Sequence, residues 1–294
     1  MKFLNQDKNF LSLPEKHSNI DSSEIVILPA PLEKTVSYGK GTCRAPEEIL
    51  KASYYLEFYD EELERELCLE KGICTLTPLK LSHMNHENAL KLIESNVKEL
   101  LDLKKFVVTI GGEHSLTAAP FRAYNKFFGN LSVLQIDAHS DLRNEYEGSR
   151  LSHASVMRRI FEVNRKIVQV GIRAQCIEEA EFIRNNDIST FYMRDIRTGN
   201  HGDDWKEKVM EKLTENVYIT FDVDAFDPAV INETGTPEPG GLFWDETMDL
   251  LKLVGKERNI AGFDVVELSP SKGITSGSFT AAKLVQKLLG YSFQ

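Results

Sequence analysis

The feature of this sequence that most restricts its fold is a set of short, β-branched apolar runs that lack a polar face. They are Ile25-Val26-Ile27-Leu28, Phe106-Val107-Val108-Thr109-Ile110, Val133-Leu134-Gln135-Ile136, Ile167-Val168-Gln169-Val170, Val217-Tyr218-Ile219-Thr220-Phe221 and Ile260-Ala261-Gly262-Phe263-Asp264-Val265-Val266. A strand with one wet face alternates apolar and polar residues, whereas a strand covered on both faces does not. The runs therefore predict strands of a parallel sheet buried between helices. Helical patterns lie between them. Leu90, Ile93, Val97, Leu100 and Leu101 recur at helical spacing, with Glu94 and Lys98 expected to pair on the wet side. Ala281, Leu284, Val285 and Leu288 predict a last helix that stops at Gly290. Alternating strands and helices specify an α/β fold, a three-layer α/β/α sandwich with a mostly parallel central sheet. No Gly/Ser linker, low-complexity tract or repeat divides the 294 residues, so residues 1–294 are expected to form a single domain.

Lys and Arg total 35 against 45 Asp and Glu, a net charge of −10 that disfavours nucleic acid and anionic lipid and suits a small cationic ligand. The start turns polar before an apolar export segment can form, and no run reaches membrane-spanning length. Cys43, Cys68, Cys74 and Cys176 show neither Cys-x-x-Cys spacing nor the density of a disulfide scaffold, so they read as reduced thiols of a cytoplasmic protein. The acidic stretch from Asp60 to Glu66 reads as the solvated face of a helix.

In open parallel sheets ligands bind beyond the carboxyl ends of the strands. Four runs end there in metal-ligand chemistry: Gly111-Gly112-Glu113-His114-Ser115, Asp137-Ala138-His139-Ser140-Asp141, Asp222-Val223-Asp224-Ala225-Phe226-Asp227-Pro228 and Glu267-Leu268-Ser269-Pro270. One His or Asp at a strand end is usually a cap, and Gly-Gly is usually a turn. The Asp-x-His and Asp-x-Asp spacings are different, since side chains two apart on extended chain share a face and can grip one ion. Five carboxylates gathered at one sheet edge without cations would repel one another. Oxygen-rich ligation with one imidazole per ion suits manganese better than zinc, and two Mn²⁺ are expected.

Taken in order with Ser152-His153-Ala154-Ser155, these motifs resemble those of the ureohydrolase family, which includes arginase and agmatinase. The likeness runs from Pro31 and Thr35-Val36-Ser37-Tyr38-Gly39, through Gly235-Thr236-Pro237-Glu238-Pro239-Gly240-Gly241, to the last helix. The resemblance implies that His114, Asp137, Asp141 and Asp222 hold one metal ion and that His139, Asp137, Asp222 and Asp224 hold the other, with Asp137 and Asp222 bridging. It also implies that Glu267 receives a substrate guanidinium, that His153 relays protons, that Asp141 doubles as a proton acceptor, and that the chain forms a homo-oligomer, commonly a trimer or hexamer.

The chemistry agrees with that expectation. Two cations lower the pKa of a shared water, and the resulting bridging hydroxide can attack a guanidinium carbon. A carboxylate matches the flat guanidinium fork, and expulsion of an amine calls for a general acid, a role that His153 fits. Five carboxylates, four metal charges and one hydroxide leave a net negative site that attracts a guanidinium and repels a phosphate ester.

The segment from Leu142 to Ser152 is the expected specificity loop. Arg143 stands where arginases carry Asn, and His153-Ala154-Ser155-Val156-Met157 is similar to the agmatinase branch, so agmatine, cleaved to putrescine and urea, is the expected substrate. Glu145 or Glu147 is expected to pair with its distal cation. Arg143 either clasps a substrate carboxylate or pairs with Glu145 or Glu147. The alternatives are hydrolysis of arginine, guanidinobutyrate or formiminoglutamate, a catalytically silent metal-binding homologue, and a mononuclear zinc hydrolase. Glu113 replaces the Asp of many relatives and is expected to orient His114. His17, His83, His86 and His201 read as surface residues, Arg158 and Arg159 as ion-pairing, and Cys176 as packed or exposed near a loop.

Overall fold

A computed structural model describes residues 1–294. Its strands are β1 (Ile25–Ala30), β2 (Ile73–Thr75), β3 (Phe106–Gly111), β4 (Leu131–Ile136), β5 (Ile167–Ile172), β6 (Ser189–Tyr192), β7 (Asn216–Asp222) and β8 (Asn259–Val266). They form one sheet in the order β2-β1-β3-β8-β7-β4-β5-β6. Every pairing is parallel, so the sheet goes beyond the mostly parallel expectation. The six apolar runs are six of these strands. The edge strands β2 and β6 escape prediction because one has three residues and the other is largely half-buried, leaving little apolar signature.

The helices are α1 (Ala45–Ser53), α2 (Leu67–Lys71), α3 (His86–Asp102), α4 (Ala118–Phe128), α5 (Val156–Phe161), α6 (Ile177–Asn186), α7 (Met193–Arg197), α8 (Trp205–Lys212), α9 (Trp244–Glu257) and α10 (Ser276–Ser292). Alternate residues of each central strand enter different apolar cores. Ile25, Ile27, Val108, Ile110, Leu134 and Ile219 pack with Ile49, Val209, Leu250 and Leu288 of α1, α8, α9 and α10. Val26, Leu28, Val107, Val133 and Tyr218 pack with Ile93, Phe121, Ile160 and Ile183 of α3 to α6. That alternation is the three-layer sandwich, with hydrophobic burial holding each helical layer to the sheet. No helix is long and apolar enough to cross a membrane.

Three local expectations are corrected. Glu94 bonds Arg122 and Lys126 of α4, each at 2.8 Å, while Lys98 turns to Asp102 at 3.2 Å. Gly290 does not end the last helix. It lies inside α10, where a Cβ would come within 2.5 Å of Leu63, so its smallness serves helix-to-loop packing. The acidic run is a turn rather than a helix face: Asp60 is buried, and with Glu62 it surrounds the buried Lys287 at 2.8 and 2.9 Å. The buried ammonium of α10 thus draws both carboxylates inward.

Candidate metal centre and active-site pocket

The four strands that carry the motifs stand side by side as β3-β8-β7-β4, so their carboxyl ends gather the motifs at the middle of one sheet edge. Gly112 lets the turn after β3 press against the segment after β1. Its N–H donates to Ala30 O at 3.1 Å, and a Cβ there would collide with Leu32 O. Asp141 and Glu267 both adopt left-handed backbone, at φ 53° and 64°. Such strain persists where surrounding structure holds a side chain in place, and it concentrates at functional sites.

His114, Asp137 and Asp141 form one buried cluster, and Asp137, His139 and Asp224 form a second. His114 Nδ1 lies 3.1 Å from Asp137 Oδ2, 2.9 Å from Asp141 Oδ2 and 3.4 Å from Asp222 Oδ2. His139 Nδ1 lies 2.9 Å from Asp224 Oδ2 and 3.7 Å from Asp137 Oδ1. The period-two argument for one shared ion is corrected here. β4 ends at Ile136, so Asp137, His139 and Asp141 lie on irregular chain, and His139 and Asp141 enter different clusters that share Asp137.

The donor set fits divalent cations. The Thr220 hydroxyl donates its only proton to Asp264 Oδ1 at 2.7 Å, so its 2.9 Å contact with His114 Nε2 is donated by the imidazole. In the neutral ring Nδ1 is then a lone pair facing three carboxylates, buried and without a hydrogen bond, and although burial opposes it, Asp137 and Asp141 hold the ring's pKa well above its usual value. Only a positive charge reconciles them. The titration tendencies agree: burial, joined by Asp141 and Asp224, pushes Asp137 up to about 7, and burial with Asp224 and Asp137 pushes Asp222 well above the carboxylate range. Burial alone would lower His139, but Asp224 outweighs it and raises the ring to about 10. Imidazole and carboxylate donors without thiolate suit a hard or borderline divalent ion.

His114, His139, Asp141, Asp222, Asp224, Glu267, His153 and Arg143 all line one cavity of about 170 Å³. Tyr38, Tyr146 and Thr236 also line it. Glu267 Oε1 accepts the His114 N–H at 2.6 Å, and burial raises its carboxyl to about 8. His153 opens a 3₁₀ turn, with its N–H on Thr35 Oγ1 at 3.0 Å and its Nδ1 3.3 Å from the same oxygen.

In the expected specificity loop, Glu145 and Glu147 are exposed and do not line the cavity. A turn closed by mutual Tyr146–Ser149 hydrogen bonds at 2.9 Å presents Tyr146 to the cavity instead. Arg143 pairs with neither glutamate. It lies 3.9 Å from Glu179 and 5.1 Å over the Tyr146 ring.

Glu113 does not touch the His114 ring. It accepts the Lys34 and Thr35 amides and the Thr35 and Ser115 hydroxyls, anchoring the segment after β1, and Thr220 takes the ring-orienting place instead. His86 and His201 are also corrected. The His86 side chain is only 14% exposed and reaches Ser115, while His201 packs 5.0 Å from the Phe191 ring with a buried Nε2. Arg159 pairs with Glu162 at 3.2 Å, Arg158 lies 3.6 Å over Phe182, and Cys176 caps α6 half-buried.

Residues that sequence reasoning misses lie behind the ligands. Gln135 Nε2 donates to Asp137 Oδ2 at 2.7 Å, and Gln169 and Thr190 extend that chain across β5 and β6. Arg173 grips the carbonyls of Asp224 and Glu238, each at 2.7 Å. Polar residues inside otherwise apolar runs, namely Gln135, Gln169, Thr220 and Asp264, are the available signal, because a buried polar group implies a partner.

The arginase family model matches residues 23–290. An N(1)-aminopropylagmatine ureohydrolase from Synechocystis sp. is 38% identical, over 99% of this chain and 95% of its own. An agmatinase from Pyrococcus horikoshii is 34% identical, over 93% and 94%. The crystal structure of agmatine ureohydrolase of Thermoplasma volcanium superposes with a TM-score of 0.86 at 30% identity, covering 97% of this chain and 94% of that one. The alignment of strand-end motifs, sheet order and family model leads to one conclusion: the chain belongs to the arginase family of ureohydrolase enzymes.

Proposed function

We propose that the protein hydrolyses agmatine to putrescine and urea at two manganese ions, one held by His114, Asp137, Asp141 and Asp222 and the other by His139, Asp137, Asp222 and Asp224. The observation that carries the reading is Asp137, shared by two clusters whose other members line the same cavity as Glu267 and His153. When bound, the two cations supply a water that is nucleophilic at neutral pH. Glu267 Oε1 is engaged by the His114 amide, which leaves Oε2 to receive guanidinium N–H groups and hold the substrate carbon over the cluster. Asp141 accepts a proton from the attacking water. As the carbon–nitrogen bond breaks, His153, whose Nδ1 is turned to Thr35, takes up at Nε2 the proton that Asp141 accepted and passes it to the departing amine.

Arg143, tied to Glu179 and Tyr146, serves the wall of the cavity in this reading, which favours agmatine over a substrate with a carboxylate tail. A second reading, N(1)-aminopropylagmatine, is favoured by the name of the Synechocystis relative. It also suits a cavity whose Tyr38 is 81% exposed, leaving its mouth open to a longer amine. A cytoplasmic homo-oligomer, trimeric or hexameric, accompanies either reading. The test is urea release from agmatine, aminopropylagmatine, arginine and guanidinobutyrate by manganese-loaded protein. Agmatine should give the highest kcat/KM. Preference for aminopropylagmatine selects the second reading, preference for arginine or guanidinobutyrate overturns both, and no urea from any substrate points to a silent homologue.

A further inference from the structure

A hydrogen-bonded run leads from the first residue of α3 to the cavity without passing through any metal ligand. It comprises His86, Ser115, Glu113, Thr35 and His153. Proton counting fixes its directions. Glu113 accepts four donors: the Lys34 amide, the Thr35 amide at 2.6 Å, the Thr35 hydroxyl at 2.8 Å and the Ser115 hydroxyl. A carboxylate with four donors has no proton to give. Each hydroxyl spends its one proton on Glu113, so whatever else reaches those oxygens must donate to them. His86 Nε2–H therefore donates to Ser115 Oγ at 3.0 Å, and His153 Nδ1–H donates to Thr35 Oγ1 at 3.3 Å, with Ser152 Oγ a second oxygen 3.4 Å from the same nitrogen. All donors converge on Glu113 from both ends, so the run cannot conduct a proton. It can fix geometry.

We propose that His86 is a positioning residue for the hydrolysis: its bond to Ser115 locks the Glu113–Thr35 anchor that holds His153 in its Nδ1–H form, keeping Nε2 for the reacting proton. The inference rests on the reading of His153 as the proton donor. His86 is suited to the part. Its side chain is mostly buried, and that burial favours the neutral ring, which donates through one nitrogen. Without it, the Ser115 hydroxyl can turn away from Glu113, the carboxylate loses one of the donors that hold Oε1 in place, and once it swings off the Thr35 hydroxyl can turn to donate to Nδ1 and select the other tautomer. Thr35 also receives the His153 backbone N–H at 3.0 Å, so both the ring and its backbone depend on the same anchor.

The test compares His86→Ala and His86→Gln in the full chain. Gln replaces the Nε2 donor, whereas Ala removes it. His86→Ala should lower kcat for agmatine about three- to tenfold, the worth of one oriented hydrogen bond, with KM within about twofold and the manganese content unchanged. His86→Gln should recover most of the rate, and His86→Ala should add nothing to His153→Ala. Independently of turnover, the side-chain ¹⁵N spectrum of histidine-labelled protein without added manganese should show His153 as Nδ1–H, shifting to a tautomer mixture in His86→Ala. Unchanged kcat and tautomer, loss of manganese, or an equal loss in the His153→Ala background would overturn the proposal. A tautomer shift in a protein that releases no urea would uphold the positioning role and refute the proposed reaction instead.

Discussion

Thr220→Val removes one buried hydroxyl and leaves the side chain's shape. That hydroxyl joins His114 of the first candidate cluster to Asp264 behind it, receiving His114 Nε2–H at 2.9 Å and donating to Asp264 Oδ1 at 2.7 Å. Loss of such an outer partner lets a ligating imidazole tilt and costs about 10–100-fold in metal affinity, or about 1.4–2.7 kcal/mol. Asp264 keeps one strong partner, the Tyr218 hydroxyl at 2.7 Å, so the metal-free protein should also lose about 1–3 kcal/mol. Two measurements separate these effects: competition of the protein with a chelator for Mn²⁺, and urea denaturation of the metal-free form. If stability falls while manganese affinity stays within about twofold of the original, Thr220 supports folding alone and the argument that it orients His114 is wrong.

His153→Ala should keep both manganese ions and lose about 10²-fold or more in kcat, read by urea release beside metal analysis; loss of metal would mean that His153 belongs to the ligand set. Asp222→Ala should release both ions, and a full pair retained in the purified variant would refute bridging by this residue. Lys287→Met should destabilise the chain by about 3–5 kcal/mol in urea, because it strands the buried Asp60; an unchanged midpoint would show that the ammonium is dispensable. Burial would raise Glu62, but Lys252, Lys287 and Tyr291 outweigh it and hold its carboxyl at about 2. Its contribution to stability is therefore complete above about 4.5 and fades as pH falls through about 2, so Glu62→Gln and the parent protein should converge in stability toward pH 2 and separate above it.

The proposed ligands are legible in the sequence because carboxylates and imidazoles crowd where four buried strands run out, more of them than capping alone would call for. The central strands are legible for a related reason: with helices on both sides, nearly every position is apolar, and the few polar exceptions are hydrogen-bonded. Glu113 misleads because adjacency to His114 in the chain suggests contact, whereas the backbone turns it toward Lys34 and Thr35. His86 has polar neighbours in sequence, and only the packing of α3 against the turn after β3 covers its ring. Glu145 and Glu147 look placed for a cation, but the Tyr146–Ser149 turn sets them outward. In each case a tertiary contact decides what local pattern does not.

The placement of β8 has a consequence for how the molecule comes into being. This strand is the last of the eight to be synthesised, yet it occupies the slot between β3 and β7. Until Asn259–Val266 enters, the sheet consists of two unjoined halves, and His114 lacks the Glu267 carboxylate that grips its amide from 153 residues away. Closure is therefore a non-local event of high contact order, late and slow relative to the docking of each half. A nascent chain halted before β8 exposes two raw strand edges, and such edges invite aggregation.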